Sequence, residues 1–295
     1  MKKRKRKIRK RLDKQKKIKY NKASIKIWKE REEDAAVLLA IDIGNTNLHV
    51  GLFEEDDLRA EFCISATPPR SADEYGWLLS SLMARHGASE KEIRGVIIGS
   101  VVPSLTQRVR AAVKELTSAP ILTVGPGVKT GFPIRIDDPA QLGADLAATT
   151  AATLAAVGAP AVVVDFGSAT VLSVIDKDGA YAGGSFLPGI GMSLEALRSA
   201  ELLPEVSPEH TVQPLGRNTE DCMRAGVLRG QALSVCGFFD LYKKAKDLPE
   251  QTPLVVTGGY AEYLLPYLPH RAKHIPHLTL LGLLQIYRLN EKRRS

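Results

Sequence analysis

Two short motifs carry most of the chemistry in this chain: Asp42-Ile43-Gly44-Asn45-Thr46 and Asp165-Phe166-Gly167-Ser168-Ala169-Thr170. Each couples a carboxylate, a bend-permitting glycine and a hydroxyl, a set that can hold phosphate and a metal ion at a hairpin tip. In the first, Asn45, Thr46 and Asn47 add neutral donors for phosphate oxygens. A carboxylate beside phosphates makes chemical sense when a divalent cation lies between them. In the second, Ser168 and Thr170 are expected to face the first motif across a cleft. Plain turn chemistry competes with this reading, because Asp, Asn and Gly favour turns wherever they occur. Gly143-Ala144-Asp145 opens an Ala-rich stretch. Asp145 there serves either as helix-dipole partner or as general base toward a substrate hydroxyl. Thr257-Gly258-Gly259 follows an apolar run and precedes a helix, allowing a flat ligand such as adenine close to the backbone and favouring anions at the helix start.

The elements that must position these residues repeat. Apolar Val37–Ile41 leads into the first motif, Leu48–Phe53 follows, then the acidic turn 54–57, then Leu58–Ile64. Ala161–Val164, Thr170–Ile175, the turn 176–179 and Ala180–Phe186 reproduce that order around the second motif. The expected fold is α/β, with two copies of one subdomain, each a mixed sheet flanked by helices, and a cleft between them. The expected division is a basic extension at 1–34, an N-terminal subdomain at 35–158 and a C-terminal one at 159–295. Helices are expected at Ser71–His86, from Val102-Pro103-Ser104 with Ser104 as cap, at Gln141–Val157, Asn218–Tyr242, Tyr260–Tyr267 and Leu278–Lys292. Gly183–Gly189 reads as a ligand loop or a hairpin exit.

Charge is uneven. Residues 1–31 hold 17 lysines and arginines against Asp13 and Glu30, although the whole chain is only +8. The body is therefore acidic. The extension reads as disordered or as begun from too early a start codon; contact with nucleic acid is open to it alone. Three cysteines without CxxC spacing fit buried, reduced thiols in a cytoplasmic protein. No apolar core follows the basic start, as a secretory signal requires. The charge-free run Leu146–Val164 is broken at Gly158-Ala159-Pro160 and reads as a helix and a strand, not a membrane span. His274 and His277 flank Pro276, which spoils the spacing for a shared metal.

Taken in order, DIGNTN, SVVPSLT, DDPAQLGAD, DFGSAT, GGSFLPG, LGRNTEDCMRAG, TGG and HLTLLGL resemble the type III pantothenate kinases of the acetate and sugar kinase/Hsp70/actin superfamily. The resemblance runs from Val37 to Tyr287. It implies duplicated actin-like (ribonuclease H-like) subdomains with mixed sheets flanked by helices, in a cytoplasmic homodimer that phosphorylates pantothenate with ATP in the first step of coenzyme A synthesis. It makes Asp42, Ile43, Gly44, Asn45, Thr46, Asn47, Leu48 and His49 the phosphate-binding segment, with Asp42 near a divalent cation, Mg2+ by preference. It makes Asp145 the catalytic acid/base, Asp165 a monovalent-cation ligand (K+ or NH4+) and Ser168 an ATP contact, beside Gly258 and Gly259. Gly143, Ala144, Asp145, Leu146 and Thr219 fall at acceptor-binding positions. Two residues depart from the pattern: Leu146 stands where the family has Arg, and Ile136 where it has Tyr. Arg135, next to Ile136, is a candidate replacement, although strand neighbours face opposite sides. Three readings remain open at this point: a pantothenate kinase with a moved anchor, a kinase for another small alcohol, and a nucleotide-binding regulator without turnover.

Overall fold

A computed structural model describes residues 36–201, 203–208, 212–269 and 271–291. The basic extension and the readings attached to it lie outside these residues. The body contains two five-stranded sheets of identical topology. In the first, β1 (Val37–Ile43), β2 (Asn47–Glu54) and β3 (Asp57–Ser65) form an antiparallel meander. Strand β4 (Ile93–Ser100) then runs parallel to β1, and β5 (Ile121–Thr123) parallel to β4. The order is β3-β2-β1-β4-β5. The second sheet repeats it as β8-β7-β6-β9-β10, built from β6 (Ala161–Phe166), β7 (Ala169–Ile175), β8 (Tyr181–Pro188), β9 (Leu254–Thr257) and β10 (Ala272–His274). The fold is the duplicated α/β architecture that the repeated motif predicts.

Helices cover both faces of each sheet. On the outer face of the first, α1 (Ala72–Arg85) and α2 (Pro103–Leu116) bury Tyr75, Leu79, Val109 and Val113 against Leu39, Ile41, Leu48 and Val50. Ser71 caps α1, accepting from the Glu74 amide while the Glu74 side chain accepts from the Ser71 amide, a capping box. Ser104 is not a cap: α2 starts at Pro103, whose missing N–H needs no partner, and Val102 holds the cap position. On the outer face of the second sheet, α4 (Ile190–Glu201), α5 (Thr219–Arg224), α6 (Gly230–Ala245) and the short α7 (Ala261–Leu264) enclose Val162, Val164 and Leu172. Asn218 caps α5, and a π-type turn at Ala225–Arg229 joins it to α6 within the expected helix. Helix α4 and strand β10 lie outside the elements expected from the sequence.

The inner faces define the site. Helices α3 (Ala144–Val157) and α8 (Leu278–Glu291) pack along each other between the sheets. Leu38, Ala40 and Ile97 of the first sheet meet Ala147, Ala148, Ala151, Leu280 and Leu283. Val163 and Val255 of the second meet Ala152 and Leu278. Helix α3 begins later than expected, because a single 3-10 turn at Pro139–Gln141 precedes it and Gly143 holds its cap position. The charge-free run beginning at Leu146 divides into α3 and β6. Among the described residues no helix is long and apolar enough to cross a membrane.

Candidate active site

Alternation along β1 sends Leu39, Ile41 and Ile43 to the outer cluster and Leu38 and Ala40 to the inner one. Asp42 is therefore the last inward residue of its strand. In β6, Val162, Val164 and Phe166 go outward and Ala161 and Val163 inward, which puts Asp165 in the equivalent place. Burying an aliphatic side chain at such a position would stabilise the fold by about 1.5–3 kcal/mol. A carboxylate at both marks positions where function overrides packing. The N-terminus of α3 adds Asp145, whose Oδ1 accepts from the Leu146 amide at 2.8 Å.

The three carboxyls share one field. Burial, then Asp145, then Asp165 push Asp42 up to about 8. Burial and then Asp145 push Asp165 up to about 6. Burial raises Asp145 as well, opposed by the amide bonds of Leu146 and its own backbone. No basic side chain is among the charges acting on any of them, and none of the three enters an ion pair among the described residues. Carboxylates desolvated together without a counter-charge favour protons or a cation. Among the described residues no three His, Cys, Asp or Glu side chains stand close enough to enclose a metal. One or two carboxylates sharing an ion with substrate phosphates is the donor set that suits Mg2+, so these residues fit a divalent cation carried in with a nucleotide.

Two glycines make room for this chemistry. A Cβ at Gly143 would overlap Asp145 Oδ1, and one at Gly258, where φ is +99°, would overlap Asp165 Oδ1 and the backbone of Phe166. Gly258 thus lets the β9–α7 turn pass close over β6, and the Tyr260 amide donates to the Phe166 carbonyl at 3.0 Å, whereas Gly259 has open space around it. Helix α7 has only four residues, so the anion-favouring helix start expected after Gly259 is not there.

The two hairpin tips touch. Thr46 Oγ1 and Ser168 Oγ lie 2.8 Å apart, a hydrogen bond between residues 122 positions apart in sequence. The first tip is closed by the Gly44 amide donating to the Asn47 carbonyl at 2.9 Å, so that amide is committed to the turn and not free for phosphate. Asn45 and Thr46 are exposed at the tip, and Asn47 is half-buried. The side chains of Ile43 and Leu48 are in the outer core, leaving only their backbone near the cleft. His49 pairs with Asp42 across the β1–β2 ladder, and burial pushes its imidazole below the ordinary value against the pull of Glu61. Thr170, expected beside Ser168, is instead fully buried on the outer side of β7, its hydroxyl unpartnered.

Acceptor-side positions are only partly assembled. Ala144 is buried, and Leu146 is half-buried in the first turn of α3. Arg135 does not reach in: its Nη1 donates to Asp176 Oδ2 at 2.9 Å and Asp178 Oδ2 at 2.7 Å, on the turn between β7 and β8. Thr219 begins a helix packed on the outer face of the second sheet, away from Asp145. His277 pairs through Nδ1 with Glu61 Oε2 at 2.5 Å. Cys63 and Cys222 are exposed, contrary to the buried thiols expected, and Cys236 is half-buried; all three are free. Tyr181 and Ser173, buried polar residues on the inner face of the second sheet, carry no signal in the sequence.

The type III pantothenate kinase family profile matches residues 38–240. The type III pantothenate kinase of Moorella thermoacetica is 38% identical over 255 residues, covering 86% of this chain and all of that protein. The Streptomyces avermitilis enzyme of the same name is 38% identical over 266 residues, covering 87% of this chain and all of that protein. This chain belongs to the type III pantothenate kinase family. More distant structures share the fold. A putative Baf family transcriptional activator from Campylobacter jejuni superposes with a TM-score of 0.54 at 20% identity, covering 86% of this chain and 99% of that one. The activator of 2-hydroxyisocaproyl-CoA dehydratase from Clostridium difficile, with bound ADPNP, gives 0.51 at 13% identity, covering 88% and 96%.

Proposed function

We propose that the protein phosphorylates pantothenate with ATP to give 4′-phosphopantothenate, the first step of coenzyme A biosynthesis. The observation that carries this reading is the convergence of Asp42, Asp145 and Asp165 without a basic partner, in a chain of this family. Asp42 and the tip 44–47 take the triphosphate, Ser168 meets it from the second tip, and Gly258-Gly259 leave room for the base. A divalent cation at Asp42 would supply charge neutralisation to the phosphates. Asp165 is the monovalent-cation residue, for K+ or NH4+.

Asp145 orients the acceptor hydroxyl and takes its proton. Its raised pKa makes it a stronger base than a free carboxylate, and phosphoryl transfer through a loose transition state asks little deprotonation in advance. The dipole of α3 favours the anionic group at its start. Thr219, on the outer face of the second sheet, would serve the acceptor of a second copy, consistent with a cytoplasmic homodimer. Residues 35–158 and 159–295 act as the two jaws of the cleft.

A coupled ADP-release assay with Mg2+ and ATP, run with and without pantothenate and with and without K+, tests the reading. Release that requires pantothenate and rises with K+ is expected. Pantothenate-independent ADP release, or none at all, would contradict it.

A further inference from the structure

The turn that leaves β8 lies against both parts of the nucleotide half. Pro188 ends the β7–β8 ladder opposite Ala169, the residue after Ser168. A Cβ at Gly189 would overlap the carbonyls of Ser168 and Gly167, so the turn rests directly on the backbone of the second tip. A Cβ at Gly191 would meet the Tyr260 hydroxyl, so the same turn also reaches the residue after Gly258-Gly259. Helix α4 starts on it, with the Ser193 amide donating to the Gly189 carbonyl at 2.9 Å.

One side chain holds this turn from another layer. Gln231, half-buried in the first turn of α6, donates through Nε2 to the Pro188 carbonyl, 43 positions away in sequence. Among the described residues no other side chain hydrogen-bonds residues 188–191. The Oε1 of the same amide is shut away from solvent and has no hydrogen-bond partner among the described residues. A buried acceptor left unpaired is costly, and a methionine of similar length would avoid the cost. Packing therefore does not account for an amide here; the bond it makes to Pro188 does. Ala232 and Val235 of the same helix are buried in the outer core of the second sheet, so the bond ties a fixed helix to a turn at the cleft.

We propose that Gln231 is a positioning residue for the nucleotide: it fixes Pro188, and through the Gly189 contact it sets where the Ser168 hydroxyl stands against the phosphates. This rests on the reading of Ser168 as an ATP contact. Gln231 itself meets neither substrate. Asp145, on α3, is outside this chain of contacts, so loss of the Gln231 bond weakens ATP binding and leaves the acceptor and the transfer step as they are.

Equilibrium binding of MgATP to the full chain without acceptor, and steady-state kinetics with pantothenate, test the inference on Gln231→Met and Gln231→Glu. The first keeps the bulk and removes the amide; the second keeps the shape and removes the donor. Each should raise Kd and KM for ATP about 3- to 10-fold, the worth of one uncharged hydrogen bond, with kcat and KM for pantothenate within about twofold of wild type. Added to Ser168→Ala, Gln231→Met should raise Kd by less than about twofold further, because both act through one contact. Three results overturn the inference and leave the pantothenate reading standing: ATP affinity unchanged in both Gln231 variants, effects of Gln231→Met and Ser168→Ala that multiply in full, or an equal rise in KM for pantothenate. ATP affinity that falls in the Gln231 variants of a protein that does not turn over pantothenate overturns that reading and leaves the inference standing. Wild-type protein that binds no ATP overturns both.

Discussion

The corners at Asp42 and Asp165 end equivalent strands of sheets with the same order, yet the helices that follow the two sheets open differently. Burial and the Asp145 carboxyl raise both groups. The difference between the two halves lies in those helix starts. Helix α3 opens with Gly143-Ala144-Asp145, and its counterpart α8 opens with His277-Leu278-Thr279, where His277 is spent on Glu61. A duplicated scaffold thus yields a single site, because only one of two equivalent helix starts carries a carboxylate. Duplication supplies the frame; divergence at a helix terminus supplies the chemistry.

The largest expected effect that sharpens this contrast is at Asp42. On the proposed reading, Asp42→Asn should cut kcat/KM about a hundredfold or more, because Asp42 is the carboxylate proposed to hold a cation at the phosphates. Asp165→Asn should cost less, and raising K+ should not rescue it. Equal losses for the two would break the asymmetry. Next comes Gly258→Ala, which forces a Cβ onto Asp165 and into a φ of +99°. A destabilisation of about 1–3 kcal/mol is expected in urea melts. Gly259→Ala, with open space around it, should cost less.

A pH dependence follows from the carboxyl cluster. Asp42 and Asp165 hold protons more tightly folded than unfolded, so the cation-free protein loses stability as pH rises from the unfolded carboxylate range near 4 toward 8. Across that window the melting temperature of wild type relative to Asp42→Asn should fall, since the difference isolates this carboxyl from the carboxylates whose values are lowered elsewhere. A difference that stays flat or rises with pH would contradict the raised Asp42 carboxyl. The smallest effect is at the tips. Thr46→Ala or Ser168→Ala removes one exposed hydrogen bond, worth about 0.5–1.5 kcal/mol at most. Combined, the two should cost no more than either alone.

The strands and the duplication are legible in the sequence, because an apolar run closed by Asp-x-Gly and followed by a second run and an acidic turn occurs twice in the same order. Asp42, Asp145 and Asp165 are legible as candidates, but their convergence is not, since it depends on α3 and α8 lying between the sheets. Helix α4 is hidden because Gly189 and Gly191 look like loop residues at its start. Thr170 departs from its expected place through strand parity: it follows the same alternation as Leu172, outward. Tyr181 does not stand out, since an aromatic residue in a strand ordinarily means packing. Arg135 looks free in sequence, because its partners at Asp176 and Asp178 are more than 40 positions away and meet it only once segment 133–136 has joined the sheet edge.

The claim that these parts form one phosphoryl-transfer site is tested most directly at Asp145. Pantothenate-dependent ADP release at saturating ATP and Mg2+ should fall at least about a hundredfold in Asp145→Asn, while nucleotide binding measured on the same preparation stays near wild type. An Asp145→Asn protein that turns over pantothenate at the wild-type rate would contradict the account.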